Sequence, residues 1–190
     1  RNLIMTEFDF SGSNFSKADL SSSDLRHSIL TGSNMNKANL VRASLEGAKA
    51  NGVNFAGVIA YRTNFSGSDF SDSNFSKAEI IRANFSKALI KTADMSRGEF
   101  SRVNFSGARV SAVKFDYSNL ARSDFRGADI MTPISMKGSY LFRTRFEGVD
   151  LSIVEGLEDW QLQMACGNSE TKLPAGMSHP ASWPCAEEIE

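Results

Sequence analysis

Few side chains in this chain are candidates for chemistry. There are two histidines, His27 and His179, and neither has sequence neighbours that would make a nucleophile and base pair. Serines are abundant, but hydrolysis through an activated serine needs a histidine and a carboxylate in support, and the chain hardly offers that set. Acidic residues such as Asp19, Glu79 and Glu99 recur with a regular spacing, which reads as a solvated ladder and not as an acid and base pair. Cys166, His179 and Cys185 could supply three zinc ligands, yet they lack the closely paired spacing of common structural zinc sites. The chain is therefore expected to be no enzyme and to carry no cofactor or metal.

Cys166 and Cys185 also form a candidate disulfide. In an exported protein the pair is free to bond or to stay reduced, whereas a reducing cytosol would favour two free thiols. No run of 18 apolar residues occurs, so no transmembrane helix is expected, and the chain reads as soluble, in the cytoplasm or exported. A start at Arg1 fits a removed signal peptide, trimming or a leader outside the sequence. Net charge is -1, which argues against a globally basic nucleic-acid binder and against a polyanion, so any charge signal is local.

What positions the groups before Leu151 is a five-residue period. Every fifth residue from Met5 to Ile130 is apolar, 26 positions in succession. The residue two before each of these centres is small at 24 of 25 positions from 8 to 128, Phe8 being the exception, and the residue between them is mostly polar. A helix cannot use this pattern, because five residues advance about 140° past a full turn and would scatter the centres around every face. A three-residue extended piece points its first and third side chains inward, and the remaining two residues must turn. Each unit is one side of a coil, and stacked coils pair through their backbones.

The turns report the number of sides. Among the lysines and arginines at the second turn position, six pairs are separated by 20 residues, against five at 25 and four at 5, which favours four units per coil. The phase slips once at Met131-Thr132-Pro133 and moves the centres to Met136, Leu141, Phe146 and Leu151. About seven coils result, a rod on the order of 35 Å long. Phe65, Phe85, Phe105 and Phe125 then fall in one core column, and Phe15, Met35, Phe55, Phe75, Met95 and Phe115 in another. Beyond Leu151, Leu157, Trp160 and Met164 are spaced as one helical face, and Gly167 reads as a stop, so a helix over 157–166 is expected to cover the last coil.

Units such as Ala18-Asp19-Leu20-Ser21-Ser22, Ala38-Asn39-Leu40-Val41-Arg42 and Ala83-Asn84-Phe85-Ser86-Lys87 resemble the A(D/N)LXX motif of the bacterial pentapeptide repeat family, with Phe favoured over Leu. The resemblance covers about 147 of the 190 residues. It implies an all-β, right-handed quadrilateral β-helix over 1–153, followed by a short α-helix and irregular cap over 154–190. It transfers no catalytic residue. Some relatives bind DNA gyrase by imitating duplex DNA, so a topoisomerase-binding DNA mimic is one implied function and a noncatalytic scaffold for a macromolecular partner is the other. The segment through Cys166, Gly167, Thr171, Gly176, Pro180 and Trp183-Pro184 resembles a terminal extension of some bacterial members, which serves as a cap or as a homodimer interface.

Stacking at 20 residues aligns Arg42, Arg62, Arg82, Arg102 and Arg122 in one column, and Lys17, Lys37, Lys77 and Arg97 in a second. Like charges about 4.8 Å apart repel by roughly 0.9 kcal/mol in water. Glu79 and Glu99, three residues before Arg82 and Arg102, are the local candidates to offset this repulsion. The alternative is an anionic partner along the rod face: a phosphate backbone, an acidic protein surface or a glycan. Of these, direct nucleic-acid binding is the least expected at this net charge.

Overall fold

The computed structural model describes residues 2–186; Arg1 and residues 187–190, the ends of the two expected segments, lie outside the described residues. Parallel backbone bridges link each outward polar residue to the one 20 positions later, as in Asn14↔Asn34, Asn34↔Asn54, Glu79↔Glu99 and Asn84↔Asn104. Four five-residue units therefore complete one circuit. Longer pairings form three short strands, β1 (Leu89–Lys91), β2 (Arg109–Ser111) and β3 (Asp129–Ile130), in one parallel sheet. A second parallel sheet joins β4 (Ile134–Ser135) to β5 (Val154–Glu155).

Each side ends in a tight turn. The carbonyl of the centre accepts the N–H three residues on, as from Ser13 to Phe10 at 3.0 Å and from Ala18 to Phe15 at 3.0 Å. The second turn residue has left-handed backbone, with φ 58° at Arg42 and 57° at Arg82. Gly occupies this position at Gly12, Gly32 and Gly52 without a Cβ penalty. The outward Asn or Asp stabilises the turn directly, since Asn14 Oδ1 accepts the Ser16 N–H at 3.0 Å and Asn84 Oδ1 that of Ser86 at 3.0 Å. Several small inward serines and threonines donate to backbone carbonyls, Ser68 Oγ to Leu45 at 2.6 Å and Thr63 Oγ1 to Leu40 at 2.7 Å, whereas the buried Ser33 Oγ has no hydrogen-bond partner among the described residues.

The centres fill the interior. Phe65 stacks on Phe85 at 4.6 Å, Phe85 on Phe105 at 5.4 Å and Phe105 on Phe125 at 4.6 Å, and Phe146 continues the column at 5.3 Å across the phase slip. Such offset aromatic contacts add to the burial of the rings themselves. At the slip the register lengthens from 20 to 21 residues, as in Asn119↔Tyr140, and Met131, Thr132 and Pro133 bulge outward. The first circuit is open, with Leu3, Ile4 and the irregular Phe8 exposed.

The end of the chain differs from the expectation. The helix α1 spans only Asp159–Met164, and it buries Gln161 and Leu162 instead of a Leu157/Trp160/Met164 stripe. Trp160 is exposed. Gln161 is buried because its Nε2 donates to the carbonyls of Met136 and Ser139, both at 2.9 Å. A different tryptophan covers the end: Trp183 Nε1 donates to the Ala165 carbonyl at 2.7 Å, and its ring fills the space a Cβ at Gly167 would need. The segment after α1 also prolongs the stacking, through Arg145↔Cys166 and Asp150↔Lys172.

Candidate interaction face

The two cysteines are bonded to each other as Cys166–Cys185. That bond withdraws both sulfurs from the three-ligand zinc set, and His179 Nε2 instead lies 2.7 Å from the Thr171 carbonyl. Among the described residues no cluster of His, Cys, Asp and Glu could hold a metal ion, and no helix is long and apolar enough to cross a membrane.

The arginine column is set by backbone hydrogen bonds. The N–H of each second turn residue donates to the first turn carbonyl of the next coil: Arg42 to Tyr61, Arg62 to Ile81, Arg82 to Ser101 and Arg102 to Ala121, at 2.8 to 3.0 Å. Arg122 donates to Phe142 at 2.8 Å, and Arg143 to Met164 at 2.7 Å. The column thus gains Arg143, which sequence reading missed because the phase slip moves it to a 21-residue spacing. The five arginines from Arg42 to Arg122 are all exposed.

Elsewhere basic side chains reach carboxylates. Arg26 pairs with Asp24 at 2.6 Å, Arg126 with Asp124 at 2.6 Å and Arg145 with Glu147 at 2.8 Å. The hydrogen bond from Arg26 draws the Asp24 carboxyl below its ordinary value. Burial pushes Asp124 upward, but the hydrogen bonds from the Arg126 side chain and backbone outweigh it and the carboxyl again titrates low. Arg26 and Arg126 occupy a first turn position beside the outward carboxylate of their own unit, whereas Arg145 is itself an outward residue and reaches the first turn Glu147.

Glu79 and Glu99, the expected local counter-charges, are engaged elsewhere. Glu79 Oε2 accepts the Tyr61 hydroxyl at 2.6 Å, Glu99 Oε1 accepts the Ser101 N–H at 3.1 Å, and Glu99 Oε2 accepts the Asn119 amide at 2.8 Å. Among the described residues, the guanidinium groups of Arg42, Arg62, Arg82 and Arg102 form no ion pair.

The first turn column beside these arginines is apolar for much of its length. Val41, Tyr61, Ile81, Ala121 and Phe142 follow one another there, interrupted by Ser101. Tyr61 and Phe142 are 37% and 39% exposed, which leaves them free to be covered. Arg122 lies 5.8 Å and Arg143 6.0 Å from the Phe142 ring centre, in cation–π range, and Tyr140 stacks on Phe142 at 6.2 Å. Reading first turn residues at 20 positions would have found Val41, Tyr61 and Ile81. The Lys column is less continuous: Gly57 interrupts it between Lys37 and Lys77, and beyond Arg97 it passes to Tyr117, over whose ring Arg97 lies at 6.0 Å.

A solenoid of stacked five-residue sides, four to a circuit, is a repeat architecture. The pentapeptide repeats family model matches residues 1–32, 38–76, 61–97 and 104–130 in 8 copies, and the chain belongs to that family. No curated protein matches it significantly. Among solved structures it is similar to HetL, a pentapeptide repeat protein involved in heterocyst differentiation regulation from the cyanobacterium Nostoc sp. Strain PCC 7120. Identity there is 20% over 91% of this chain and 84% of that chain, with a TM-score of 0.33. A trypsin-treated form of QnrB1, a plasmid-mediated fluoroquinolone resistance protein, is 17% identical over 84% of this chain and 91% of that chain, with a TM-score of 0.46. A pentapeptide repeat protein from the Arabidopsis thaliana thylakoid lumen is 20% identical over 96% and 86% of the two chains, with a TM-score of 0.17.

Proposed function

We propose that this protein is a noncatalytic scaffold in which residues 1–153 supply a right-handed β-helical rod, residues 154–190 cap it, and the corner carrying Arg42, Arg62, Arg82, Arg102 and Arg122 binds an anionic macromolecule. The observation that carries this reading is the unpaired state of the first four guanidinium groups while Glu79 and Glu99 accept hydrogen bonds from other groups. Aligned positive charges without internal partners repel one another, and an anion laid along them removes that cost. The Lys17, Lys37, Lys77 and Arg97 column is the secondary candidate. The Cys166–Cys185 bond favours an oxidising compartment.

A duplex DNA mimic bound to a topoisomerase would need aligned carboxylates, and the continuous column here is cationic. Unchanged gyrase supercoiling at micromolar protein is the outcome this reading expects. The main test compares proteins captured from a bacterial lysate by the wild type and by a variant with Arg62→Glu, Arg82→Glu and Arg102→Glu. Loss of the specific partners supports the corner as the binding face, and an identical set of partners overturns it.

A further inference from the structure

The corner that carries the arginines differs from the other three in its first turn positions. The adjacent corner has Arg26, Glu46, Ser66 and Ser86 there, and the remaining two begin Ser11, Thr31, Asn51 and Ser16, Asn36, Ala56. Among the described residues the arginine corner gathers three large apolar side chains, Tyr61, Ile81 and Phe142, at first turn positions, whereas the other corners carry fewer at their turns, among them Met131 at the slip and Tyr117 at a second turn position. A turn position needs neither an aromatic ring nor a branched aliphatic chain, and leaving these groups in water forgoes the gain that covering them would bring. The apolar ridge, interrupted by Ser101, and the arginine column run side by side from Val41 and Arg42 to Phe142 and Arg143.

Arginine beside aromatic and aliphatic residues is the composition of protein–protein hot spots, and the guanidinium fork matches a carboxylate with two parallel hydrogen bonds. On the other flank of the ridge stand Glu79 and Glu99. Those carboxylates repel a continuous phosphate or sulfate backbone, and the two rings of the ridge, Tyr61 and Phe142, are separated by Ile81, Ser101 and Ala121, which breaks any run of stacked bases. A polypeptide has neither difficulty: its charges are discontinuous, and its own N–H groups and lysines can face the glutamates. The three steps from Arg42 to Arg102 span about 14 Å, the length over which an extended peptide presents about three side chains on one side.

Resting on the reading that this corner is the binding face, we infer that its partner is a protein segment in which carboxylates are interleaved with apolar side chains. The carboxylates engage Arg42, Arg62, Arg82 and Arg102, and the apolar groups cover Tyr61, Ile81 and Phe142.

Fluorescence anisotropy with three labelled probes tests this at low salt: a peptide of glutamates interleaved with leucine and serine, a peptide of as many glutamates interleaved with serine alone, and an oligothymidylate of equal charge. The leucine-containing peptide is expected to bind roughly tenfold more tightly than either other probe. Ile81→Ser combined with Phe142→Ser should erase that advantage and leave binding of the serine-only peptide unchanged. Both substitutions fall on turn positions, and an unchanged circular dichroism melt verifies the fold. Equal binding of all three probes, lost together in the Arg62→Glu, Arg82→Glu, Arg102→Glu variant, overturns the acidic–apolar partner while keeping the arginine face. Binding of all three probes that is indifferent to the arginine substitutions overturns the face itself, and with it this inference.

Discussion

Tyr61 donates its hydroxyl to Glu79 Oε2 at 2.6 Å, joining the apolar ridge of one coil to the acidic column of the next and holding that carboxylate away from the arginines. The contact raises the Tyr61 pKa above its ordinary 10.0, chiefly through the hydrogen bond to Glu79, with burial and the charges of Glu79 and Glu99 adding to it. Because the folded value exceeds the unfolded one, the contribution to stability is present below about pH 10 and is lost as pH rises through the folded value. Spectrophotometric titration of the 3 tyrosines checks this. Glu79→Gln should lower the midpoint of one of them, whereas an unchanged titration curve would show that the contact does not persist in solution.

Asp150 and Lys172 make the corresponding link near the C-terminal end, at 2.8 Å. Hydrogen bonds from Lys172 and then Ser152 draw the Asp150 carboxyl from its ordinary 3.8 to about 2. The folded value is depressed, so the stabilisation is present above about pH 4 and is lost as pH falls toward 2. Lys172→Ala should raise the Asp150 midpoint toward 3.8 in a carboxylate NMR titration. It should also move acid loosening of the tail, followed through Trp183 fluorescence, to higher pH.

The core column gives a mechanical check of the stacking. Phe85 is fully buried between Phe65 and Phe105, so Phe85→Ala should cost about 3–5 kcal/mol in denaturant unfolding. Phe8, the one large residue at a small inward position from 8 to 128, is 60% exposed, and Phe8→Ala should cost less than about 1 kcal/mol. Equal costs at the two sites would contradict the assignment of Phe8 to an open first circuit.

The five-residue period made the sides, the centres and the 20-residue register legible, because a single inward and outward alternation repeats without interruption from Met5 to Ile130. Why Asn and Asp fill the outward position was not legible: the reason is a hydrogen bond to the turn backbone, as from Ser16 to Asn14, which a hydropathy pattern does not carry. Gly98 looked like any other small inward residue, yet the Phe100 ring folds over it so closely that a Cβ would approach the ring to 2.4 Å. The tail was read least well, since it has no period, and its helix buries an amide, Gln161, where pattern favours apolar groups. At the candidate site the arginine column was readable as far as Arg122. Its extension to Arg143 required the register after the slip, and the diversion of Glu79 and Glu99 required side-chain geometry.

The central claim is that the arginine corner, and not overall charge, selects an anionic partner. Titration calorimetry with polyglutamate at low salt tests it most directly, comparing the wild type with two variants of equal net charge: Arg62→Glu, Arg82→Glu, Arg102→Glu, and Lys17→Glu, Lys37→Glu, Lys77→Glu. The wild type and the lysine variant are predicted to bind within roughly threefold of each other, and the arginine variant at least about tenfold more weakly. Equal weakening in both variants, or no binding to the wild type, would contradict it.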